Sequence, residues 1–440
     1  MAVKGKIVLT GRIKNLSPLH IGCGSGDRSD LDILRSADGK PFIPATSFVG
    51  VLKHAIETSD NSEYKPEIVK KFWGFSKGED GHQSTFRCSD LICQNTPKIT
   101  IRDGIKIDSK TGLVKDKGKY DYEIVEREAV FDLKMEFSYN NDDEIFVKRM
   151  IATMCSLLKN KKIQIGSKTN SGLGAIILED EKLYVFDFSK KSDVFCWLTQ
   201  NRKLPEPKSL GTPFQIKGKY FTIDATFQLK NSLIIRSYSD DPELPDAVHI
   251  QSLEKQVLTG TSLKGAIRAR AERIVHTLGK SDSVVKELFG NVDDENRSKD
   301  AKKGRIQVKE CILPKFVSEL QTRIKIDRFT GGTIDSALFE TMPLFSSSNP
   351  KEEVININIC VRNYKDYEAG LLLLVLKDLW TGDLAVGGEK NVGRGVFEGI
   401  SAFIKFDSDE IFIGKDVNTL SPENRDKLQK CVNSLTEKQL

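Results

Sequence analysis

Thr46-Ser-Phe-Val-Gly50-Val-Leu-Lys53 is written again, about half a chain length later, as Thr261-Ser-Leu-Lys-Gly265-Ala-Ile-Arg268. Phe48, Val51, Leu52, Ala55 and Ile56 fall at helical spacing, as do Leu263, Ala266, Ile267, Ile274 and Val275. Each copy therefore predicts an amphipathic helix, with the Thr-Ser pair as its N-cap. Gly50 and Gly265 stand in the first turn, where alanine would be favoured by about 1 kcal/mol. Either the helix packs tightly on a sheet there, or something passes close to its backbone. The hydroxyls of Thr46, Ser47, Thr261 and Ser262, beside the cations Lys53, Lys264 and Arg268, favour a helix N-terminus that receives a phosphate.

Further landmarks recur outward from this pair in one order. Residues 6–21 and 220–235 alternate as opening strands, and each leads into an acid-rich loop, 22–32 or 237–246. Downstream, Phe72-Trp-Gly74 is answered by Leu288-Phe-Gly290, and strand 85–90 by strand 305–310. Ile105-Lys-Ile-Asp108 with Thr111-Gly112 is answered by Ile324-Lys-Ile-Asp327 with Thr330-Gly331. The polar excursions around these motifs, 110–121 and 328–336, read as exposed hairpins. Last come Ile165-Gly-Ser-Lys-Thr-Asn-Ser-Gly-Leu-Gly174 and Val386-Gly-Gly-Glu-Lys-Asn-Val-Gly-Arg-Gly395. One domain is thus written twice, at a period too long for a solenoid. The expected boundaries are 1–180 for the first domain, 181–217 for a proline-bearing linker, 218–406 for the second domain and 407–440 for a charged, peripheral tail.

The glycine-rich loops admit two readings. Gly166, Gly172 and Gly174, like Gly387, Gly388, Gly393 and Gly395, let backbone amides approach an anion, with charge added by Lys168, Lys390 and Arg394. A tight turn between elements would use the same glycines. Gly166-Ser-Lys-Thr lacks the upstream glycine of a phosphate-binding P-loop, which argues against nucleotide hydrolysis.

Composition sets bounds. The chain has 440 residues, 39% hydrophobic and 29% charged, and its 67 basic residues nearly balance 62 acidic ones for a formal charge of +5. Any polyanion site must therefore be local. No apolar run reaches membrane length, and the eight cysteines lack CxxC spacing, so a cytosolic protein with reduced thiols is expected.

With these motifs in hand, the sequence resembles the RAMP superfamily of CRISPR-associated proteins, and within it the backbone subunit of type III effector complexes, in the fused double form of type III-D systems. The residues that carry the resemblance are Asp30-Leu-Asp-Ile-Leu-Arg35 through Phe42-Ile-Pro-Ala-Thr-Ser47, the helix through Lys53, the Ile-Asp-x-x-Thr-Gly segment and the terminal glycine-rich loop. The resemblance implies an α+β chain of two tandem ferredoxin-like, RNA-recognition-type domains, each with an inserted thumb hairpin. It implies partners too: a CRISPR guide RNA, a single-stranded target RNA and other type III subunits, with no membrane.

The resemblance also implies a chemistry. An aspartate in the loop before the hairpin that leads to the helix serves metal-dependent cutting of target RNA, and Asp30 occupies that place. Asp27 and Asp32 could assist a divalent metal, magnesium or manganese. In the second copy Asp246 is the counterpart, although it precedes the isoleucine by four residues rather than three and Ser252 stands where Arg35 would be; Asp240 and Asp241 are alternative ligands there. His82, Cys88 and Cys93 suggest zinc only weakly, because Cys88 aligns with a strand position, and no zinc is expected. Two alternatives remain: a scaffold that grips guide RNA without cutting, and a guide-processing endonuclease using His20 or His54.

Overall fold

The structure is a computed structural model that describes the chain except for residues 1–2, 27, 60–62, 65, 78–79, 110, 200–209, 239–244, 292–300, 348–352, 408, 417–419 and 438–440. Two compact units emerge. The first comprises residues 1–101, 121–169 and 173–218, and the second residues 102–120, 170–172 and 219–440.

In the first unit, Gly5–Asn15 is the central strand. Ile7, Leu9 and Ile13 alternate onto one face and are fully buried, as a half-covered strand requires. It pairs antiparallel with Val130–Tyr139 on one side and with Ile176–Asp187 on the other, and Phe86–Cys88 completes the sheet beside Val130–Tyr139. Helices Ala45–Glu57 and Glu144–Lys159 supply the apolar cover through Phe48, Leu52 and Ile56, and through Met150, Ile151 and Met154. The strand order, fourth-first-third-second by position in the repeat, is that of a ferredoxin-like fold.

The second unit repeats the plan. Tyr220–Leu229 pairs antiparallel with Val354–Arg362 and with Phe397–Phe406, and Ile306–Val308 lies beside Val354–Arg362. Helices Gly260–Thr277 and Asp366–Thr381 contribute Leu263, Ile267 and Val275, and Leu371, Leu372 and Val375, to its core.

Three boundaries differ from the sequence expectation. Strand Ile176–Asp187 runs past residue 180, helix Lys191–Leu198 packs Trp197 against Phe186 with ring centroids 5.1 Å apart, and Phe214 is buried in the first core, so much of the proposed linker belongs to that domain. Nor is the tail peripheral. Asp409–Ile413 adds a strand to the second sheet, and helix Pro422–Glu437 buries Cys431 and Leu435 in its core. Finally, residues 102–120, the outer part of the hairpin Ile99–Ile107 and Val114–Val125, belong to the second unit. There the buried side chains of Arg102 and Glu310 form an ion pair of 2.6 Å.

Candidate nucleic-acid interface and acidic loops

The first turns of the two repeated helices are built differently from the sequence reading. In the first copy Pro44 is the N-cap residue and makes no side-chain cap, while Ala45 N–H donates to the Asp90 carboxylate at 2.7 Å. In the second, Thr259 caps by accepting from Ser262 N–H. The Thr-Ser pairs therefore sit inside the first turn, two and three residues late to cap it. Thr46 and Thr261 are exposed, and their hydroxyls have no hydrogen bond among the described residues. Gly50 and Gly265 are also exposed, and a Cβ built on either would meet no atom within 4 Å. Tight packing by the chain itself does not account for these glycines.

Beyond each glycine stands a cation paired one turn on, Lys53 with Glu57 at 3.9 Å and Arg268 with Glu272 at 2.9 Å. Lys264 has no ion-pair partner among the described residues. Burial, and then the neighbouring charge of Arg268, push its pKa down to about 8. A cation in that position gains from any anion that arrives.

Apart from residues 170–172, which belong to the second unit, the glycine-rich loops close against their own domains. At Gly174 and Gly395, both with positive φ, a Cβ would lie 1.9 Å from the Ile165 carbonyl oxygen and 1.8 Å from that of Val386. Ser167 N–H donates to His20 O, and Gly388 N–H to Ile234 O, each at 2.8 Å. Gly166 and Gly387 press on those same two carbonyls, and Gly172 on Glu310 N. The glycines of these loops therefore serve close backbone packing, while Gly393 has only the Asn231 amide near its Cβ position. Arg394 departs from the expectation of an outward cation: it is buried and donates to Glu389, Ser232 and Gln321. Lys390 remains exposed, and Lys168 lies 4.3 Å over the Tyr122 ring.

Each acidic loop meets the strand that returns from the hairpin. Asp30 N–H donates to Asp121 Oδ1 at 2.7 Å, and Asp121 N–H to Asp30 Oδ2 at 3.0 Å. Glu340 N–H donates to Asp246 Oδ2 at 2.8 Å. Leu31 bridges Tyr122 in parallel and Ala247 pairs with Thr341 in parallel, so Asp30 and Asp246 occupy the same place in the two domains. The one-residue offset in sequence disappears because Leu34 and Ile250, rather than Ile33 and Ile250, are equivalent: their amides donate to Ile21 O and Ile235 O respectively. Asp121 brings a second carboxylate to the first loop; in the second, Glu340 meets Asp246 through its amide, and its own carboxylate accepts from Thr322 Oγ1 at 3.2 Å. Sequence reading passed over them; their signal was an acid at or just after the end of each polar excursion.

The first loop rests on a buried ion pair. Arg35 donates two bonds of 2.8 Å to Glu123, which also accepts from Ile33 N–H. The guanidinium holds the Glu123 carboxyl below its ordinary range. Asp32 is turned inward onto Ser29 Oγ at 2.7 Å, and that bond lowers its pKa, so it serves the loop more than an outside ligand. Asp27, Asp240 and Asp241 lie outside the described residues. In the second domain, Glu389 takes the place of Lys168 and gathers Arg236 at 3.0 Å, Arg323 at 3.0 Å and Arg394 at 2.7 Å. Burial works to raise its pKa, and Arg394 and Arg236 outweigh it.

The histidines and cysteines are placed as follows. His20 is buried, with Nδ1 2.6 Å from Glu123 O, and burial lowers its pKa; His54 is exposed on its helix. Cys93 is buried, and burial pushes the Cys88 thiol up to about 12. Among the described residues no group of three or more His, Cys, Asp and Glu side chains is arranged to hold a metal ion, and no helix is long and apolar enough to cross a membrane.

A comparison with curated proteins finds no significant match. A family model of the RAMP superfamily matches residues 12–177 and 226–398, one copy after the other and most of the chain. Matched twice over, on two ferredoxin-like domains, the chain belongs to the RAMP superfamily.

Proposed function

We propose that this chain is a double backbone subunit of a type III CRISPR effector complex, holding guide RNA with both domains and cutting the complementary target RNA at Asp30 and Asp246. The observation that carries this reading is the equivalence of the two acidic loops. In each, a loop aspartate accepts from the backbone of an acidic residue on the strand that leaves the hairpin, Asp121 or Glu340, and in the first loop the Asp121 carboxylate reciprocates. Neither pair serves a buried ion pair of the fold. Guide phosphates would lie along the N-terminal halves of these helices, where Thr46, Ser47, Gly50 and Lys53 stand in one copy, and Thr261, Ser262, Lys264 and Gly265 in the other.

A carboxylate pair suits a magnesium-type ion, which takes one or two carboxylates, keeps several waters and completes its shell with substrate phosphate. Asp30 and Asp121 each commit one carboxylate oxygen to the other's backbone. The second oxygen of each has no hydrogen bond among the described residues, so this donor set fits. Such an ion would stabilise charge on the phosphate as the RNA 2′-hydroxyl attacks it and the 5′-oxygen leaves. The chain's own contribution is position: the mutual hydrogen bonds fix Asp30 against Asp121, and the Arg35–Glu123 pair fixes the loop that carries it.

Asp30→Ala and Asp246→Ala, each assembled separately into the complex and given end-labelled target RNA, test the proposal. Each variant should lose its own subset of fragments while still binding target. Unchanged fragments from both would leave a scaffold that grips RNA without cutting. Burial disfavours His20 as the acid–base group of the guide-processing alternative, since its ring is engaged with a backbone carbonyl, and leaves the exposed His54 as that alternative's candidate.

A further inference from the structure

The second domain has another basic feature, at the opposite end of its sheet. An open cleft of about 520 Å³ is lined by Glu287, Lys302, Lys303, Arg305, Asn363 and Lys365. Tyr220 pairs with Arg362 at this end of the central strand, while Leu229 pairs with Phe397, just after the glycine-rich loop, at the other. Ten strand residues separate the two ends, on the order of 30 Å. The cleft is therefore remote from the acidic loop and the glycine-rich loop, while the helix that begins at Gly260 starts between the two ends, beside Val308 of the strand that Arg305 leads into.

Its cations are held out by the fold. Arg305 Nη1 donates to Asn363 O at 2.7 Å, and Nη2 pairs with the fully buried Glu368. Lys365 bonds Glu287 at 2.8 Å. Lys302 and Lys303 are exposed on a short hairpin strand, and their side chains have no hydrogen bond or ion pair among the described residues. Four cations against Glu287 and Glu368 leave a net positive cleft. The amides at the start of helix Asp366–Thr381 add little, because Glu368 already accepts from Lys365 N–H.

The first domain is an internal control for whether the fold needs this charge. Thr85 N–H donates to Phe72 O as Arg305 N–H donates to Leu288 O, so Thr85 stands for Arg305. Phe75 pairs with His82 as Asn291 pairs with Lys302, placing His82 and Gln83 where the second domain has Lys302 and Lys303. Asp143 is the N-cap residue where the second domain has Lys365. The same hairpin and helix start form without any of the four cations, so the charge is not a requirement of folding. The lining contains no aliphatic or aromatic side chain. A protein partner's interface core would call for such groups and would be poor in lysine, whereas a phosphodiester chain needs only cations.

We propose that this cleft is a second nucleic-acid site, which holds the phosphates of a single-stranded RNA segment away from the acidic loops. The inference does not depend on cutting or on the guide path proposed above. The full chain and its Lys302→Gln/Lys303→Gln variant should be titrated with fluorescent single-stranded RNA of about 30 nucleotides across a salt series. Losing two phosphate contacts should flatten the slope of log K against log salt by about 1.4 and weaken binding about 20-fold at 0.1 M salt. Photocrosslinking of 4-thiouridine RNA should mark a peptide spanning 301–305 in the wild type. An unchanged slope, or crosslinks confined to the other end of the domain, overturns the proposal. So does loss of a protein partner from the variant complex with RNA binding intact. Lys264→Gln, which leaves the cleft lining intact, should leave the 301–305 crosslink in place, so failure of the guide-path reading is read separately.

Discussion

Replacing Gly50 and Gly265 together by alanine separates two kinds of reason for a glycine. Both are the sixth residue of their helix, in its second turn and exposed, and a Cβ on either meets nothing of the chain within 4 Å. Alanine should therefore stabilise each helix by about 0.5–1 kcal/mol, or roughly 1–2 kcal/mol in all if the sites act independently. For domains of this size that raises each melting transition by about 2–4 °C per kcal/mol. If RNA phosphates lie against these turns, the added methyls occupy their seat. The loss of about one charge-assisted hydrogen bond at each site, roughly 1.5 kcal/mol, is about tenfold in affinity. Thermal melts of the full chain and anisotropy titrations with guide-length RNA read the two quantities independently. The reasoning fails if the variant is stabilised yet binds RNA like wild type, and it fails differently if the variant is destabilised, which would mean that these turns pack. Gly174→Ala is the contrasting control: at positive φ and 1.9 Å from a carbonyl oxygen, it should lose about 2 kcal/mol or more of stability.

The Arg35–Glu123 pair makes a second prediction. Arg35→Ala strands a carboxylate that is 3% exposed and should cost about 3–5 kcal/mol in urea unfolding, whereas Arg35→Met with Glu123→Leu should cost much less. Because the folded pKa of Glu123 is depressed from 4.5, its stabilisation is present above pH about 4.5 and is lost as pH falls through the folded value; that acid sensitivity should shrink in the double variant. A third concerns Lys264, whose pKa is pushed down to about 8. Between pH 8 and 10.5 the unfolded chain carries the proton that the folded one lacks, so folding stability should rise with pH there, while RNA affinity should fall as the free amine loses its charge. Lys264→Gln should flatten both profiles, as followed by urea titration and by anisotropy.

Much of this was legible without coordinates. The doubled Thr-Ser-x-x-Gly stretch, the alternating opening strands and the two Ile-Asp-x-x-Thr-Gly turns are local patterns whose periodicities of 3.6 and 2 are set by backbone geometry, and they fixed the duplication and the element order. Asp30 and Asp246 were legible as loop acids. Their equivalence was not, because it is decided by which amide donates to Ile21 O or Ile235 O across the fold. The sequence equally could not reveal that Asp121 and Glu340 come beside them, since hairpin length separates those residues in the chain and only strand pairing closes the distance. The cap residues, the inward turn of Arg394 and the tail's place in the second sheet have the same origin. Each depends on which groups find partners when surfaces are buried, and burial is a property of the packed chain rather than of any short stretch of it. Sequence determined that one domain was made twice; tertiary structure decided which of its charges face inward, because only packing says which of them lose water.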